Sequence, residues 1–175
     1  AGITQNIDGL HQKAGSVNVL ELHGNVNRNY CRRCHKFYDG YFVRDSIGVP
    51  TCSCGGIVKP DVVLYEEPLD HDVLQGAINA IAQADLLIIG GTSLNVYPAA
   101  GLVDLYRGNR LVLVNLSSTP QDRRANLVIH ERIGQVFVIG IDKGDIIGVL
   151  AHLVEGGVSR QRRTVVFCMD DAKPA

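Results

Sequence analysis

The sequence lacks both a charge imbalance and a long apolar run. Its 17 lysine and arginine residues face 18 aspartate and glutamate residues, which leaves a net charge of -1. A chain this balanced has no electrostatic footprint for nucleic acid or for a membrane surface, so we expect neither as a partner. The longest apolar runs, such as 86–89 and 111–114, are far shorter than the roughly 20 residues that a membrane-spanning helix needs.

The sequence also shows no secretory signal, no internal repeat and no low-complexity tract. What is present is typical of a soluble globular protein, since 46% of the residues are hydrophobic and 20% are charged. A length of 175 residues suits one domain of ordinary size. We therefore expect a cytoplasmic protein with one main core.

Cysteine is scarce, and its five copies are unevenly placed. Cys31, Cys34, Cys52 and Cys54 form two close pairs, whereas Cys168 stands alone. Two such pairs can converge on one tetrahedral Zn²⁺ ion, and the odd count argues against a disulfide framework. Because four thiolates would fill the coordination shell, we expect a structural ion with no open position for a substrate. The alternative is a loop of four free or disulfide-linked cysteines.

Continuous apolar runs alternate with helical patterns through most of the chain. Strands are predicted over 62–65, 85–90, 110–115 and 135–139, and helices over 70–83, 98–108 and 144–155. Apolar runs without polar alternation suit strands that are covered on both faces, as in a parallel sheet. The alternation therefore predicts an open α/β fold, in which ligands bind beyond the carboxyl ends of the strands.

The periodicity disappears in two places. Residues 30–58 hold the clustered cysteines and no core pattern, so we interpret them as a small inserted module that needs a metal ion for stability. The main domain then comprises residues 1–29 and 59–157. Residues 158–175 form a basic and then apolar tail of unknown role, which is either an added strand or an unrelated remnant.

Polar side chains follow the first short apolar segment. Gln5, Asn6 and Asp8 would need partners if they were buried, and a ligand with hydroxyl and amide groups would supply them. A solvated loop or a helix cap explains the same residues equally well. His23, next to Gly24, is either a general base, because imidazole titrates near neutral pH, or a structural histidine.

A second group of polar residues follows the predicted strands 85–90 and 110–115. Gly91 lets a nucleotide approach the backbone, and the hydroxyl groups of Thr92 and Ser93 can bond to ribose or phosphate. Asn115 ends the next strand and either opens a turn or bonds to a ligand hydroxyl. Each signal alone is weak, because the glycine segment is not a G-x-G-x-x-G fingerprint.

Six motifs in order resemble those of the sirtuins, a family of NAD-dependent protein deacylases, in its bacterial form. They are TQNIDGLH from Thr4, the His23-Gly24 pair, the four clustered cysteines, KPDVVLYEE from Lys59, GTSLNVYPAA from Gly91, and Asn115 after a strand. The resemblance runs from Thr4 to about Leu153. It implies a Rossmann-like parallel sheet with helices on both faces plus a small inserted zinc-ribbon module, with 1–29 and 59–157 forming part of an NAD-binding domain.

The resemblance implies roles for individual residues, beginning with His23 as the catalytic base. The NAD cosubstrate would be bound by Gln5, Asn6, Ile7, Asp8, Gly91, Thr92, Ser93, Asn115, Leu116, Asp145 and Ile146. An acyl-lysine peptide or protein would lie as an added strand against Val62, Val63, Leu64, Tyr65, Glu66, Asn95 and Val96. The structural zinc would be bound by Cys31, Cys34, Cys52 and Cys54. The implied activity removes acyl, chiefly acetyl, groups from protein lysines and releases nicotinamide and O-acyl-ADP-ribose.

Some features depart from the family pattern. The family's glycine-rich phosphate loop would precede Ala1, so we expect an N-terminally truncated chain whose activity is impaired. Glu66 stands where the family usually has glycine, and Tyr65 where it usually has phenylalanine. Two other functions fit the same motifs: a zinc-stabilised peptide-binding module without catalysis, and a mono-ADP-ribosyltransferase on the same scaffold.

Overall fold

The computed structural model describes residues 1–95, 97–136 and 164–168, which form two sheets. In chain order the strands are β1 (Gly2–Thr4), β2 (Val19–Glu21), β3 (Gly24–Cys31), β4 (Phe37–Asp39), β5 (Val58–Val62), β6 (Leu86–Gly90), β7 (Leu111–Val114), β8 (Leu127–Ile129) and β9 (Thr164–Cys168). The helices are α1 (Leu10–Lys13), α2 (Gly40–Arg44), α3 (His71–Ala82) and α4 (Ala99–Leu102), with 3₁₀ turns at Val103–Leu105 and Asp122–Arg124 and a helical turn over 133–136.

The larger sheet has six strands in the order β2-β1-β9-β6-β7-β8, and every described pair in it is parallel. On one side of β9 the chain proceeds outward from β1 to β2, and on the other side from β6 through β7 to β8, as in doubly wound folds. Parallel strands end at the same edge of a sheet, so the segments that follow β1, β2, β6 and β7 share that edge. The predicted α/β fold with a parallel sheet is confirmed.

Strands β6 and β7 supply the central core of the larger sheet, and all of their residues are buried. Alternate side chains of a strand point to opposite faces, so the two strands serve two cores. One core contains Leu87, Ile89, Leu111 and Leu113, and the other contains Leu86, Ile88, Val112 and Val114. Helix α3 packs against the first core, and residues of the turn over 133–136 pack against the second. Burial on both faces explains why the two apolar runs are continuous.

Helix α3 begins where its sequence predicts. The Asp70 carboxylate accepts hydrogen bonds from the backbone N–H groups of Asp72 and Val73, both at 2.9 Å, which satisfies two of the unpaired donors at the helix start. Ala77 and Ile81 are fully buried in the first core. The predicted helix over 70–83 is confirmed. None of the described helices combines the length and the apolar character that crossing a membrane requires.

The smaller sheet holds the cysteine cluster, and its strands are antiparallel in the order β4-β3-β5. Its core consists of Cys31, Cys52 and Val58, packed with Tyr38 and Phe42. The sheet reaches beyond 30–58 on both sides, because β3 starts at Gly24 and β5 ends at Val62. The inserted module is therefore continuous with the segment that carries His23.

The predicted strand over 62–65 is wrong. Strand β5 ends at Val62, and a turn follows, closed by a hydrogen bond of 3.1 Å from the Glu67 N–H to the Leu64 carbonyl. Leu64 is more than half exposed and Tyr65 is fully exposed, so the apolar residues of this run do not enter a core.

Two other predicted elements differ from the structure. The predicted strand over 135–139 is wrong at residues 135 and 136, which are helical, and its remainder lies outside the described residues. The predicted helix over 98–108 is shorter, because α4 passes into the 3₁₀ turn Val103–Leu105 and the backbone is extended at Tyr106. The predicted helix over 144–155 lies outside the described residues.

The tail contributes a strand to the larger sheet. Strand β9 lies between β1 and β6, is parallel to both, and buries Val165. Of the two interpretations of the tail, the added strand is therefore confirmed. The remainder of residues 158–175 lies outside the described part of the chain.

Replacing Gly24 by alanine is expected to destabilise the fold by about 3 kcal/mol, because strain at a special backbone position and a steric clash act together. Gly24 has a φ of +78°, and a Cβ built there would lie 1.9 Å from the Asp61 carbonyl oxygen. Gly48→Ala is the matched control, since Gly48 has a φ of +75° and no atom within 4 Å of such a Cβ. Urea unfolding of both variants checks this, and equal losses of stability would contradict it.

Candidate active site

The polar segments singled out in the sequence lie along one edge of the larger sheet. Strands β1, β2, β6 and β7 end at Thr4, Glu21, Gly90 and Val114. The residues that follow these four ends are 5–8, 22–23, 91–93 and 115–116. Because the strands are parallel, all of these segments occupy the carboxyl edge, where doubly wound folds bind their ligands. This edge is the candidate active site.

His23 joins two parts of this edge. Its imidazole makes a hydrogen bond to the backbone of Gln5, and its carbonyl oxygen accepts a hydrogen bond of 3.1 Å from the Val63 N–H. Partial burial lowers the pKa of His23 below its usual 6.5, and the bond to Gln5 offsets only part of that effect. At neutral pH the imidazole is therefore uncharged and able to accept a proton.

The segment 5–8 is held in place by its own backbone and by β3. The Asn6 N–H donates to the Thr4 hydroxyl oxygen at 3.0 Å, and the Val26 N–H donates to the Ile7 carbonyl at 2.9 Å. The Asp8 carboxylate accepts the Leu10 N–H at 2.9 Å in the turn that leads into α1, whose N-cap is Gly9. The Gln5 side-chain nitrogen is buried without a hydrogen-bond partner among the described residues. A buried donor of this kind suits a ligand carbonyl oxygen.

The segment after β6 turns sharply away from the sheet. Gly91 has a φ of +63°, and its N–H donates to the Val114 carbonyl at 3.0 Å. The Thr92 side chain is buried, and its hydroxyl oxygen accepts the Leu94 N–H at 3.0 Å. Ser93 follows in the same turn. The tight turn brings backbone, rather than bulky side chains, to this part of the edge.

Asn115 occupies the equivalent position after β7. Its side-chain amide donates to the Ser117 carbonyl at 2.8 Å, so it stabilises its own turn, as one of the two sequence interpretations expected. The neighbouring Leu116 is exposed. Asp145, Ile146 and Val96, which the resemblance assigned to the cofactor and the peptide, lie outside the described residues.

The segment predicted to bind a peptide begins beside His23. Val62 pairs with Gly24, and Val63 bonds to the His23 carbonyl. The Lys59 ammonium donates to the Val62 carbonyl and to the Glu67 carboxylate, both at 2.9 Å, which fixes the turn. Beyond Val63, the side chains of Leu64, Tyr65 and Glu66 project from this turn and are exposed, with Glu66 at a φ of +69°. Asn95, from the other predicted side of the peptide, is also exposed.

A buried polar network beside the site was missed in the sequence. Arg28 contacts the carboxylates of Glu21 at 2.6 Å and Asp61 at 2.8 Å. The Glu21 carboxylate also accepts hydrogen bonds from Gln12 and Asn25. Local alternation did not signal this network, because β3 is irregular between Asn25 and Asn29 and Asn27 is exposed. Asn25 and Asn29 are buried there, while the apolar Val26 between them is partly exposed.

The four clustered cysteines form a site for one metal ion. Their sulfur atoms all lie within 4.8 Å of one another, and the shortest separation, between Cys31 and Cys54, is 3.5 Å. That separation is far longer than a disulfide bond, so the thiols are free. Hydrogen bonds from the Cys54 backbone and the Tyr38 hydroxyl lower the pKa of Cys52 to about 5. Four convergent sulfur ligands of this kind fit one tetrahedral, structural zinc ion.

Solved structures share this fold. A structure of Sir2 with the inhibitor EX-527, 2'-O-acetyl-ADP-ribose and a deacetylated p53 peptide superposes with a TM-score of 0.74 at 43% identity, covering 82% of this chain and 64% of that one. A complex described as Sir2 with p53 peptide and NAD⁺ gives a TM-score of 0.74 at 42% identity, covering 82% of this chain and 62% of the other.

Curated relatives agree with the structural likeness. An NAD-dependent protein deacetylase of Clostridium perfringens is 66% identical over 142 residues, which are 80% of this chain and 58% of the relative. A deacetylase of the same name from Clostridium tetani is 60% identical over 136 residues, which are 77% of this chain and 55% of that protein. The chain thus spans somewhat more than half the length of these relatives. The model of the Sir2 family matches residues 1–98, more than half of the 175 residues, and the chain therefore belongs to the Sir2 family, the sirtuins.

Proposed function

We propose that this chain carries the catalytic base and the peptide-binding segment of an NAD-dependent protein-lysine deacetylase. The observation that supports this most directly is the position of His23. Its imidazole bonds to Gln5, in the segment proposed to bind the cosubstrate, and its carbonyl oxygen bonds to Val63, in the segment proposed to bind the peptide. One residue thus contacts both proposed binding segments.

In the proposed reaction an acyl group moves from a lysine nitrogen to a ribose hydroxyl oxygen of NAD. The bond between nicotinamide and the ribose breaks as the acyl oxygen bonds to that ribose carbon. The ribose hydroxyl oxygen then attacks the acyl carbon, and the bond from the acyl carbon to the lysine nitrogen breaks. One water molecule is consumed, and the lysine leaves as an ammonium ion. The products are nicotinamide, O-acyl-ADP-ribose and the free lysine. The relatives named as deacetylases and the ligands of the two Sir2 structures support acetyl-lysine as the substrate class.

His23 is proposed to take the proton from the ribose hydroxyl that accepts the acyl group. A general base works best when its pKa lies near or below the working pH, so that its unprotonated form is abundant. Partial burial lowers the pKa of His23 and so keeps the imidazole neutral. The bond to Gln5 fixes the direction in which the ring points.

The residues at the sheet edge fit an NAD molecule. The unpaired buried amide nitrogen of Gln5 suits the carboxamide oxygen of nicotinamide. Asn6, Ile7 and Asp8 are proposed to line the same pocket. The turn of Gly91, Thr92 and Ser93, with Asn115 and Leu116, would contact the rest of the molecule, because its glycine leaves the backbone accessible. Asp145 and Ile146 are proposed for the adenine end.

The peptide is proposed to add as a strand along residues 62–66, opposite Asn95 and Val96. The exposed side chains of Leu64 and Tyr65 offer apolar surface beside His23. The Lys59 contacts hold this turn in shape before a peptide binds, which reduces the entropy that binding must overcome. We also propose the cytoplasm as the location, because free clustered thiols persist in reducing compartments.

The activity is testable in a chimera in which the matched part of this chain replaces the corresponding 142 residues of the Clostridium perfringens relative. The chimera is expected to release nicotinamide and deacetylate an acetyl-lysine peptide in equal amounts. His23→Ala should lower kcat/KM by about 10²–10⁴-fold, the usual contribution of a general base. Chromatography of nicotinamide and mass spectrometry of the peptide measure both products.

The matched control for this test is His71→Ala, which removes an exposed imidazole at the start of α3 and should leave turnover unchanged. Full activity of the His23 variant would contradict the role of the base. Transfer of ADP-ribose to protein without deacetylation would favour a transferase, and peptide binding without turnover would favour a binding module.

The pH dependence of kcat/KM gives a separate test of His23. Burial lowers the pKa of this residue, so the active neutral form persists at lower pH than for a free imidazole. Activity should rise with pH through a half-maximum below about 6.5, the unperturbed value for histidine. Rate measurements between about pH 5 and 8 in buffers of constant ionic strength check this, and a half-maximum above that value would contradict it.

The metal site predicts one zinc ion per chain. Elemental analysis of the purified 175-residue chain should give a ratio near one, and Co²⁺ exchange should give the absorption of a tetrahedral thiolate site. Cys52→Ala should lose the metal and lower the unfolding midpoint, because binding to the folded state contributes to stability. Cys168→Ala, outside the cluster, should keep the full zinc content. Zinc retained by Cys52→Ala would contradict the assignment.

A further inference from the structure

A single guanidinium group connects the two sheets beside His23. The Arg28 Nη1 atom contacts Glu21 at 2.6 Å, and its Nε atom contacts Asp61 at 2.8 Å. Glu21 is the last residue of β2 in the larger sheet, whereas Asp61 belongs to β5 in the smaller sheet. Arg28 itself lies in β3, between them in the chain.

The chemistry of this contact requires arginine. The Glu21 side chain is only 7% exposed, and a buried carboxylate is costly without a hydrogen-bonded cation. Gln12 and Asn25 add hydrogen bonds at 2.9 Å and 2.6 Å, but both are neutral amides. The guanidinium fork donates to two acceptors in fixed directions, whereas a lysine ammonium is a point charge on a flexible stem. Arg28 can therefore fix the direction as well as the strength of both contacts.

The contacts of Arg28 bracket the segment that holds His23. Glu21 precedes His23 by two residues, and Gly24 follows it directly and pairs with Val62 of β5. The backbone of Gly24 approaches Asp61 so closely that no Cβ fits there. The segment from Glu21 to Gly24 is thus held to β5 at both ends. At Glu21 the link runs through the side chains of Arg28 and Asp61, and at Gly24 it is the backbone pairing with Val62.

We propose that Arg28 is a positioning residue that sets the distance between His23 and the bound acyl-lysine peptide. The inference rests on the proposed function of His23 and of segment 62–66. Arg28 touches neither proposed substrate. It acts through Glu21, which lies two residues before the proposed base, and through Asp61, which directly precedes the proposed peptide segment. The proposed NAD segment after β1 reaches Glu21 only indirectly, through Asn25 and through Asn27, whose amide donates to the Asp8 carbonyl.

The expected kinetic signature is a selective loss. In the active chimera, Arg28→Lys keeps the positive charge but cannot hold both carboxylates in the same geometry. The kcat/KM for acetylated peptide should fall about 10–100-fold, since a displacement near 1 Å between reacting groups costs that much. The KM for NAD should change less than kcat/KM for the peptide, because Asp8 is linked to Glu21 only through the neutral amides of Asn25 and Asn27. A general loss of folding would not produce this split.

The Asp61→Asn variant tests the same contact with a smaller risk of misfolding. The Asp61 side chain is 44% exposed, so its neutralisation leaves the buried Glu21 paired with Arg28 and should preserve the fold. This variant should show the same selective fall in kcat/KM for the peptide, but a smaller one. Asp45→Asn is the matched control, because it neutralises the exposed partner of Arg44 at the end of α2. Neither residue belongs to a proposed substrate segment, so the kinetics should stay unchanged.

Hydrogen exchange in the 175-residue chain gives a readout that needs no activity. The Val63 N–H bonds to the His23 carbonyl, so loosening of this junction should speed its exchange about tenfold or more in Arg28→Lys. Asp45→Asn should leave this rate unchanged. An inactive wild-type chimera would refute the proposed function, while faster Val63 exchange would still support the coupling. Unchanged Val63 exchange together with an unchanged kcat/KM for the peptide in both Arg28→Lys and Asp61→Asn would overturn the inference.

Discussion

The backbone junction between His23-Gly24 and β5 is the contact on which the rest of the site depends. The Val63 N–H donates to the His23 carbonyl, and Gly24 lies so close to Asp61 that only glycine fits. This junction is where the larger sheet meets the smaller one. It places the imidazole at the carboxyl edge of one sheet and the exposed turn after β5 beside it, so neither sheet alone contains the candidate site.

The cysteine cluster supports that junction from a distance. Cys31 ends β3, and Cys52 and Cys54 precede β5, so a bound zinc ion would clamp the far end of the β3–β5 ladder. The near end of the same ladder carries the pairing of Gly24 with Val62. A metal with a closed coordination shell would therefore act on the proposed site without contacting a substrate, because it would fix the strand that lies between the proposed base and the proposed peptide segment.

The sequence predicted the features that local patterns encode and missed those that depend on distant partners. Continuous apolar runs predicted β6 and β7, and the helical pattern over 70–83 predicted α3, because these patterns act over a few residues. The spacing of the cysteines predicted their convergence. The contact of Arg28 with Glu21 and Asp61 left no local signal, because its partners lie in different strands. The apolar run at 62–65 indicated a strand where the chain forms an exposed turn.

The position of β9 bears on where the phosphates of NAD would bind. In doubly wound folds the strand at the centre of the order leads into the glycine-rich turn that faces the pyrophosphate. Here β9 occupies that position, and the sequence after it reads Met169-Asp170-Asp171, without glycine. Glycine leaves backbone N–H groups free to bind phosphate, and the sequence supplies none directly after β9. Contacts of this sheet with the phosphates would therefore come from the segments after β1, β6 and β7, among which Gly91, with its φ of +63°, leaves the backbone accessible.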